Sequence, residues 1–276
     1  MNIKDLAASI ALIASTTYMP TAHSLTVLND WNLNLSTVNG TTVGATTFSG
    51  LGDATGIDHV NISGTSTVEQ TISGGVSLGE SFTDNGFLQF DSWAKETGGL
   101  APSFGSILNG YGFYLTFSDL TGTLNSDGSI TFDPGVGSVK LWLESDFDGI
   151  PTTGDVLELA SFSVLAPSGG SDLDFFGGEG ANATIDVSLG VESMIASLFT
   201  DSNDNDLDEM SFALVNTDSL LQSIDTDVDL QGNGISTIVV ENGGQYNIAE
   251  VPEPASLALL GLGMIGMSGF RKQKRS

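Results

Sequence analysis

The chain has 276 residues, 34 of them acidic against 7 basic, and a formal charge of −27 at pH 7. The imbalance is steeper between Leu25 and Val251, which hold 32 of the 34 acids and two of the seven cations, Lys95 and Lys140, for a net of −30; such a surface repels phosphate and excludes nucleic acid and anionic lipid as partners of this stretch. The absence of cysteine removes disulfides, zinc-thiolate sites, iron–sulfur clusters and thiol nucleophiles together, while 40% hydrophobic and 8% aromatic content supports a packed core rather than acidic disorder.

Residues 1–24 carry Lys4, an apolar run from Leu6 to Ala14, and Ala22-His23-Ser24, which puts small residues at −3 and −1 of a cleavage after Ser24. This reads as a signal peptide. A buried N-terminal helix is the alternative, since Asp5 weakens the positive leading segment.

Residues 25–249 read as one β-rich extracellular body. Trp31, Leu33 and Leu35 alternate with asparagines, and Tyr111, Phe113, Leu115 and Phe117 share one face of a half-buried strand. Val139, Leu141 and Leu143 repeat the pattern, as do Ile185, Val187 and Leu189, and Ile235 to Glu241 gives a further strand. Asp84-Asn85-Gly86, Ser126-Asp127-Gly128 and Gly232-Asn233-Gly234 read as turns between strands. Gly98 to Gly110 and Ala166 to Gly180 read as long loops. Glu192 to Phe199 and Leu207 to Val215 each suit a short helix, the former equally a strand. The expected fold is mainly β, an antiparallel β-sandwich or barrel-like body.

Chemistry is sparse in this body. His59 is the one histidine left after signal removal, and it precedes Gly75-Val76-Ser77-Leu78-Gly79, whereas a hydrolase elbow needs its histidine later in the chain. A Gly-flanked turn explains that segment better. Glu144-Ser145-Asp146-Phe147-Asp148-Gly149-Ile150 followed by Asp155 puts oxygen donors at positions 1, 3, 5 and 12 of a loop with Gly at 6, close to a calcium-binding loop. Glu144 at position 1, Pro151 at position 8 and Asp155 at position 12 depart from that pattern, and an acidic turn after strand Val139 to Leu143 is the alternative. Asp201 to Glu209 is denser in donors but lacks the Gly, which suits a solvated loop that caps a following helix. Asp225, Asp227 and Asp229 line one strand face, where like charges repel unless a cation or water intervenes.

Residues 250–276 form a sorting signal in three parts. Pro252-Glu253-Pro254 is followed by an apolar run from Ala255 to Phe270 and then by Arg271, Lys272, Lys274 and Arg275. Sixteen helical residues reach roughly 24 Å, a short transmembrane helix whose basic end stays cytoplasmic. Gly261-Leu262-Gly263-Met264-Ile265-Gly266 matches G-x-G-x-x-G but lacks the strand and acidic partner of a dinucleotide site, and reads as small residues in an apolar helix.

This order of motif, apolar run and basic cluster resembles the PEP-CTERM sorting signal of Gram-negative bacteria. The resemblance implies an exosortase as processing partner, removal of the tail near Pro252-Glu253-Pro254, and coexpression with extracellular polysaccharide. More weakly, Tyr111 to Phe117, a Gly122 turn, Val139 to Leu143, the acidic stretch and Leu157 to Phe162 resemble the flocculation-associated PEP-CTERM proteins in order and spacing. The expectation is a non-enzymatic surface or matrix protein, held briefly in the membrane by its C-terminal helix and then associated with exopolysaccharide in flocculation or biofilm. A carbohydrate-binding adhesive module and a secreted hydrolase are the alternatives. Calcium is the one cofactor considered.

Overall fold

The computed structural model describes residues 26–76, 78–95, 102–146, 155–172, 182–207 and 211–250. Eight long strands dominate: β6 (His59–Ile72), β7 (Ser81–Ala94), β8 (Gly112–Leu124), β10 (Ser138–Glu144), β11 (Val156–Asp172), β12 (Asn182–Met194), β14 (Ser211–Val228) and β15 (Gly234–Glu250). Each pairs antiparallel with the next in that order, and β15 pairs back onto β6, from Gly234 opposite Ile72 to Tyr246 opposite Val60. The result is a closed up-and-down ring, in which no long strand is left as an edge. Opposite walls meet in one main core, as the sheets of a sandwich do, and Ile238 and Val240 form a small second cluster against Val68.

Alternation explains the ring. On β6 the buried residues are Val60, Ile62, Ser66 and Gln70, while Ser63, Thr65 and Glu69 are exposed. A membrane-spanning barrel turns an apolar band outward; β6 turns Asn61, Ser63, Thr65, Thr67 and Glu69 outward instead. The expected faces of Phe113, Leu115 and Phe117 on β8 and of Val139, Leu141 and Leu143 on β10 are all buried. β9 (Ser129–Phe132) fills the gap where β8 and β11 run past the end of β10, pairing with both.

One end of the ring is packed solid. β2 (Trp31–Asn34) lies between β13 (Phe199–Asp201) and β5 (Asp53–Ile57) in a three-stranded sheet, and the apolar side of that sheet buries Trp31, Leu33, Ile57 and Phe199. Trp31 meets Phe199 edge-on at 5.7 Å, Phe199 lies 6.5 Å from Tyr246, and Phe90 lies 5.1 Å from Tyr246 and 4.5 Å from Phe113. This aromatic chain ties the small sheet to β7, β8 and β15, each favourable pair adding about 0.5–1.5 kcal/mol beyond its burial. On the other side of β2, Asn32 donates to the Asp201 carbonyl (3.0 Å) and accepts the Gly56 N–H (3.1 Å), so the alternating asparagines stitch the three strands together. A 3-10 turn at Leu35–Val38, the hairpin of β3 (Thr42–Val43) and β4 (Thr46–Thr47), and a single-turn helix α1 (Gly105–Leu108) complete the described elements with β1 (Thr26–Val27), beside which Leu28 N–H donates to the Ile248 carbonyl at 2.8 Å.

Several local expectations are corrected. Asp84-Asn85-Gly86 is not a turn but the middle of β7, opposite a bulge in β8 where Ser118 and Asp119 face the single residue Asn85. Asp119 takes the left-handed conformation (φ 54°), and the Asn85 side chain accepts its N–H at 2.8 Å. Gly86 is required by close packing, since a Cβ there would sit 2.6 Å from both the Phe117 ring and Ser66 Cβ. Gly122 lies within β8 opposite Phe82 and Phe132, and the chain turns after it, at Ser126-Asp127-Gly128. The expected loop from Ala166 runs as strand to Asp172, with 173–180 outside the described residues. Glu192–Met194 ends β12 and Ser211–Val215 opens β14, so neither segment is helical where it is described; register pairing with β11 and β15 satisfies those backbones instead. Of the expected loop from Gly98 to Gly110, residues 98–101 lie outside the described residues, and Ser103–Leu108 forms a bridge to Ser92 followed by α1.

Gly86→Ala should destabilise the protein by about 1–3 kcal/mol through overpacking, whereas Thr67→Ala on the outward face of β6 should change little; urea unfolding of both variants measures the contrast.

Candidate functional site

Away from the aromatic chain below the small sheet, the ring interior is lined by aliphatic and short residues together with Phe82, Phe117 and Phe132. Val68 on β6, Val187 and Leu189 on β12, Val240 on β15, Ala183 on β12 and Leu120 on β8 enclose a cavity of about 100 Å³. Eight strands make an interior that side chains can just fill or that can hold one small ligand.

Five polar side chains interrupt this lining, and four of them, one from each of four neighbouring strands, form a chain. Ser219 on β14 donates to Asn242 Oδ1 on β15 (2.6 Å), Asn242 Nδ2 donates to Ser66 Oγ on β6 (3.1 Å), and the Ser66 hydroxyl bonds to Asp84 on β7. All four are at most 9% exposed, so their hydrogen bonds are made out of reach of bulk water. Gln70, nearer the β6–β7 turn, spends its amide on the Glu80 and Ser81 carbonyls at 3.3 and 3.2 Å. Asp84 ends the chain. The Ser66 hydroxyl and the Asn85 N–H act on its carboxyl and favour the ionised form, and Oδ1 has no hydrogen-bond partner. Burial pushes its carboxyl from 3.8 up to about 7, against the smaller downward pull of those two bonds. It is the one ionisable residue among those lining the cavity.

The residues singled out in the sequence lie elsewhere. Of the calcium set, Glu144 ends β10 fully buried and receives a hydrogen bond from Tyr114, whose own hydroxyl is pushed upward by burial and then by that neighbouring carboxylate. Asp146 is exposed in the following turn, and Asp148 lies outside the described residues. Asp155 accepts the Ala45 N–H at 3.0 Å, which fixes the β3–β4 hairpin turn. Among the described residues no three acidic or histidine side chains converge as a metal-binding group. Asp201 organises its own loop: Oδ1 accepts the N–H groups of Asn203 (2.7 Å) and Asn205 (2.9 Å), and the Asn205 amide, with these backbone donors, holds the carboxyl below its ordinary value. Asp229 repeats the device with Gln231 and Asn233 between β14 and β15, and Asp225 and Asp227 are exposed at the end of β14. His59 opens β6 with its ring 2.9 Å from Asp58, and Gly74 and Gly75 make the turn before Ser77, itself outside the described residues.

The lumen was missed because its polar residues sit at apolar positions of long strands. In His59 to Ile72 both phases of the alternation contain Ser, Thr or Gln, which hides which phase faces inward. An aspartate flanked by Phe82 and Phe87 was the available signal, and its turn-like neighbours obscured it.

The pH dependence of stability follows from Asp84. As pH rises through about 4 the unfolded chain releases this proton, but the folded protein keeps it until about 7; stability therefore falls across that window by up to about 4 kcal/mol and is flat above it. In Asp84→Asn this fall should vanish. Urea midpoints at pH 4.5 and pH 8 should place the variant near wild type at the lower pH and above it at the higher one.

Neither a curated protein nor a solved structure matches the chain. Residues 250–274 match the PEP-CTERM protein-sorting motif. The segment holding Pro252, Glu253, Pro254, the apolar run and Arg271, Lys272, Lys274 and Arg275 lies outside the described residues, and among the described residues no helix is long and apolar enough to cross a membrane. The chain thus carries a PEP-CTERM sorting signal directly after its ring-closing strand, which marks it as an exported protein, processed by an exosortase and sorted to the cell envelope or surface.

Proposed function

We propose that the sorted body acts outside the cell as a non-enzymatic matrix protein, associated with extracellular polysaccharide and promoting cell aggregation in flocs or biofilm. The observation that carries this reading is the sorting motif at residues 250–274. Before cleavage the apolar segment from Ala255 holds the chain in the membrane, and removal of the tail near Pro252-Glu253-Pro254 frees an acidic ring whose outward face is rich in Ser, Thr, Asn and Asp. Exposed carboxylates such as Glu69, Asp225 and Asp227 suit bridging by calcium or another divalent cation to anionic polymers and neighbouring cells.

Two features favour a distributed surface over a single recognition pocket. The large apolar side chains exposed among the described residues, Leu220, Ile224, Leu230 and Ile235 among them, are all aliphatic, whereas a sugar-binding groove is built on exposed aromatic faces. The cavity lining offers one carboxyl, where glycoside hydrolysis needs a pair.

Mass spectrometry of the extracellular protein should find a C-terminus near Pro252 to Pro254. Peptides containing Gly266 or Phe270 in secreted material would refute the processing. A strain lacking the gene should secrete polysaccharide yet form looser flocs, restored by the gene supplied in trans; unchanged aggregation in that strain across calcium levels would remove the matrix role.

A further inference from the structure

We infer that the lumen beside Ser66, Asp84, Ser219 and Asn242 is a binding site for a small apolar molecule that carries a single hydroxyl head. The cavity is a consequence of residue choice. Trp31, Phe90, Phe113, Phe199 and Tyr246 fill the ring beneath the small sheet, whereas around the cavity Phe82, Phe117 and Phe132 alternate with the shorter Ser66, Val68, Ala183, Val187, Ser219 and Val240. Larger aliphatic residues at any of these would close the space.

Water is a poor occupant. A buried water needs two to four polar partners, and the polar groups here are already committed to one another along the path from Ser219 through Asn242 and Ser66 to Asp84. What remains is the carboxyl of Asp84, one of the residues lining the lumen, whose buried Oδ1 has no hydrogen-bond partner, beside a wall of Val, Leu and Phe. An occupant that satisfies this wall has one hydrogen-bonding group and an otherwise apolar body.

The charge of that group is also constrained. A carboxylate would meet the Asp84 carboxyl and a body of net charge −30. An ammonium would leave water for a lumen with one carboxyl and few further acceptors, a desolvation that a single contact does not offset. A hydroxyl donates to Asp84 when the carboxyl is ionised and accepts from it when it is protonated, so it fits both states. Among the residues lining the lumen nothing else titrates.

Three probes with the same ring and different heads test this on the exported protein: phenol, benzene and benzoate. Calorimetry should show one phenol site, at least tenfold tighter than benzene, and no benzoate binding. NMR methyl shifts should map phenol to Val68, Val187, Leu189 and Val240. Val187→Phe, which fills the lumen, should abolish phenol binding; Asp84→Asn, which keeps the size of the side chain, should weaken phenol while leaving benzene unchanged. If Val187→Phe fails to fold, the Asp84→Asn comparison decides. Phenol binding no tighter than benzene, shifts that map outside the lumen, or an Asp84→Asn variant with unaltered preference would overturn the proposal.

Discussion

The ladder between β15 and β6 is the constraint on which the other features depend. It joins residues about as far apart in sequence as the body allows, Tyr246 with Val60 and Gly234 with Ile72. Once it forms, every long strand has two neighbours and the inward and outward phases of all of them are fixed together. A one-residue slip in any ladder would turn its buried set to solvent, so closure enforces register throughout. Closure also limits the interior to what eight strands enclose. Whether that interior is solid or hollow then depends on side-chain size, which is why the aromatic cluster under the small sheet gives a packed base while Ser66, Val68, Ala183, Val187, Ser219 and Val240 leave a cavity within the same ring.

The acids of this chain perform physically different tasks despite their shared chemistry. Asp201 and Asp229 are exposed and tie off loops by accepting two backbone N–H groups each, which favours their ionised form. Asp155 does similar work at a distance, holding the β3–β4 turn from the start of β11. Asp225 and Asp227 are solvated charge. Asp84 alone among the cavity-lining residues is an ionisable group inside the ring, and there burial favours the proton. Net charge therefore describes the outside of the molecule well and its interior not at all.

Strand identity was legible wherever one phase was strictly apolar. Phe113, Leu115 and Phe117, and Val139, Leu141 and Leu143, lie where their alternation put them because packing and local pattern agree there. The tail was legible too, as a three-part linear signal that needs no fold to be read. Ring closure was not, because pairing between β6 and β15 leaves no mark on either strand alone. Asp84-Asn85-Gly86 misled for a more specific reason: the same three residues that suit a tight turn also suit a strand opposite a bulge, with Asp84 inward, Asn85 bonded to Asp119 and Gly86 making room for Phe117. Tertiary packing overrode local propensity there, at the residue that now defines the lumen. The calcium pattern was legible as spacing, but Glu144 is buried against Tyr114 and Asp155 serves a hairpin, tasks that spacing does not encode.

A ring closed by its last strand also imposes an order of events on an exported chain. Until residues 234–246 have followed the rest across the membrane, β6 and β14 each present an unpaired edge, and any partial body is open to pairing with its neighbours. Long-range closure of this kind is slow compared with local hairpins. The sorting motif is the next segment to arrive, so the chain presents its address only once all the strands of the ring have preceded it.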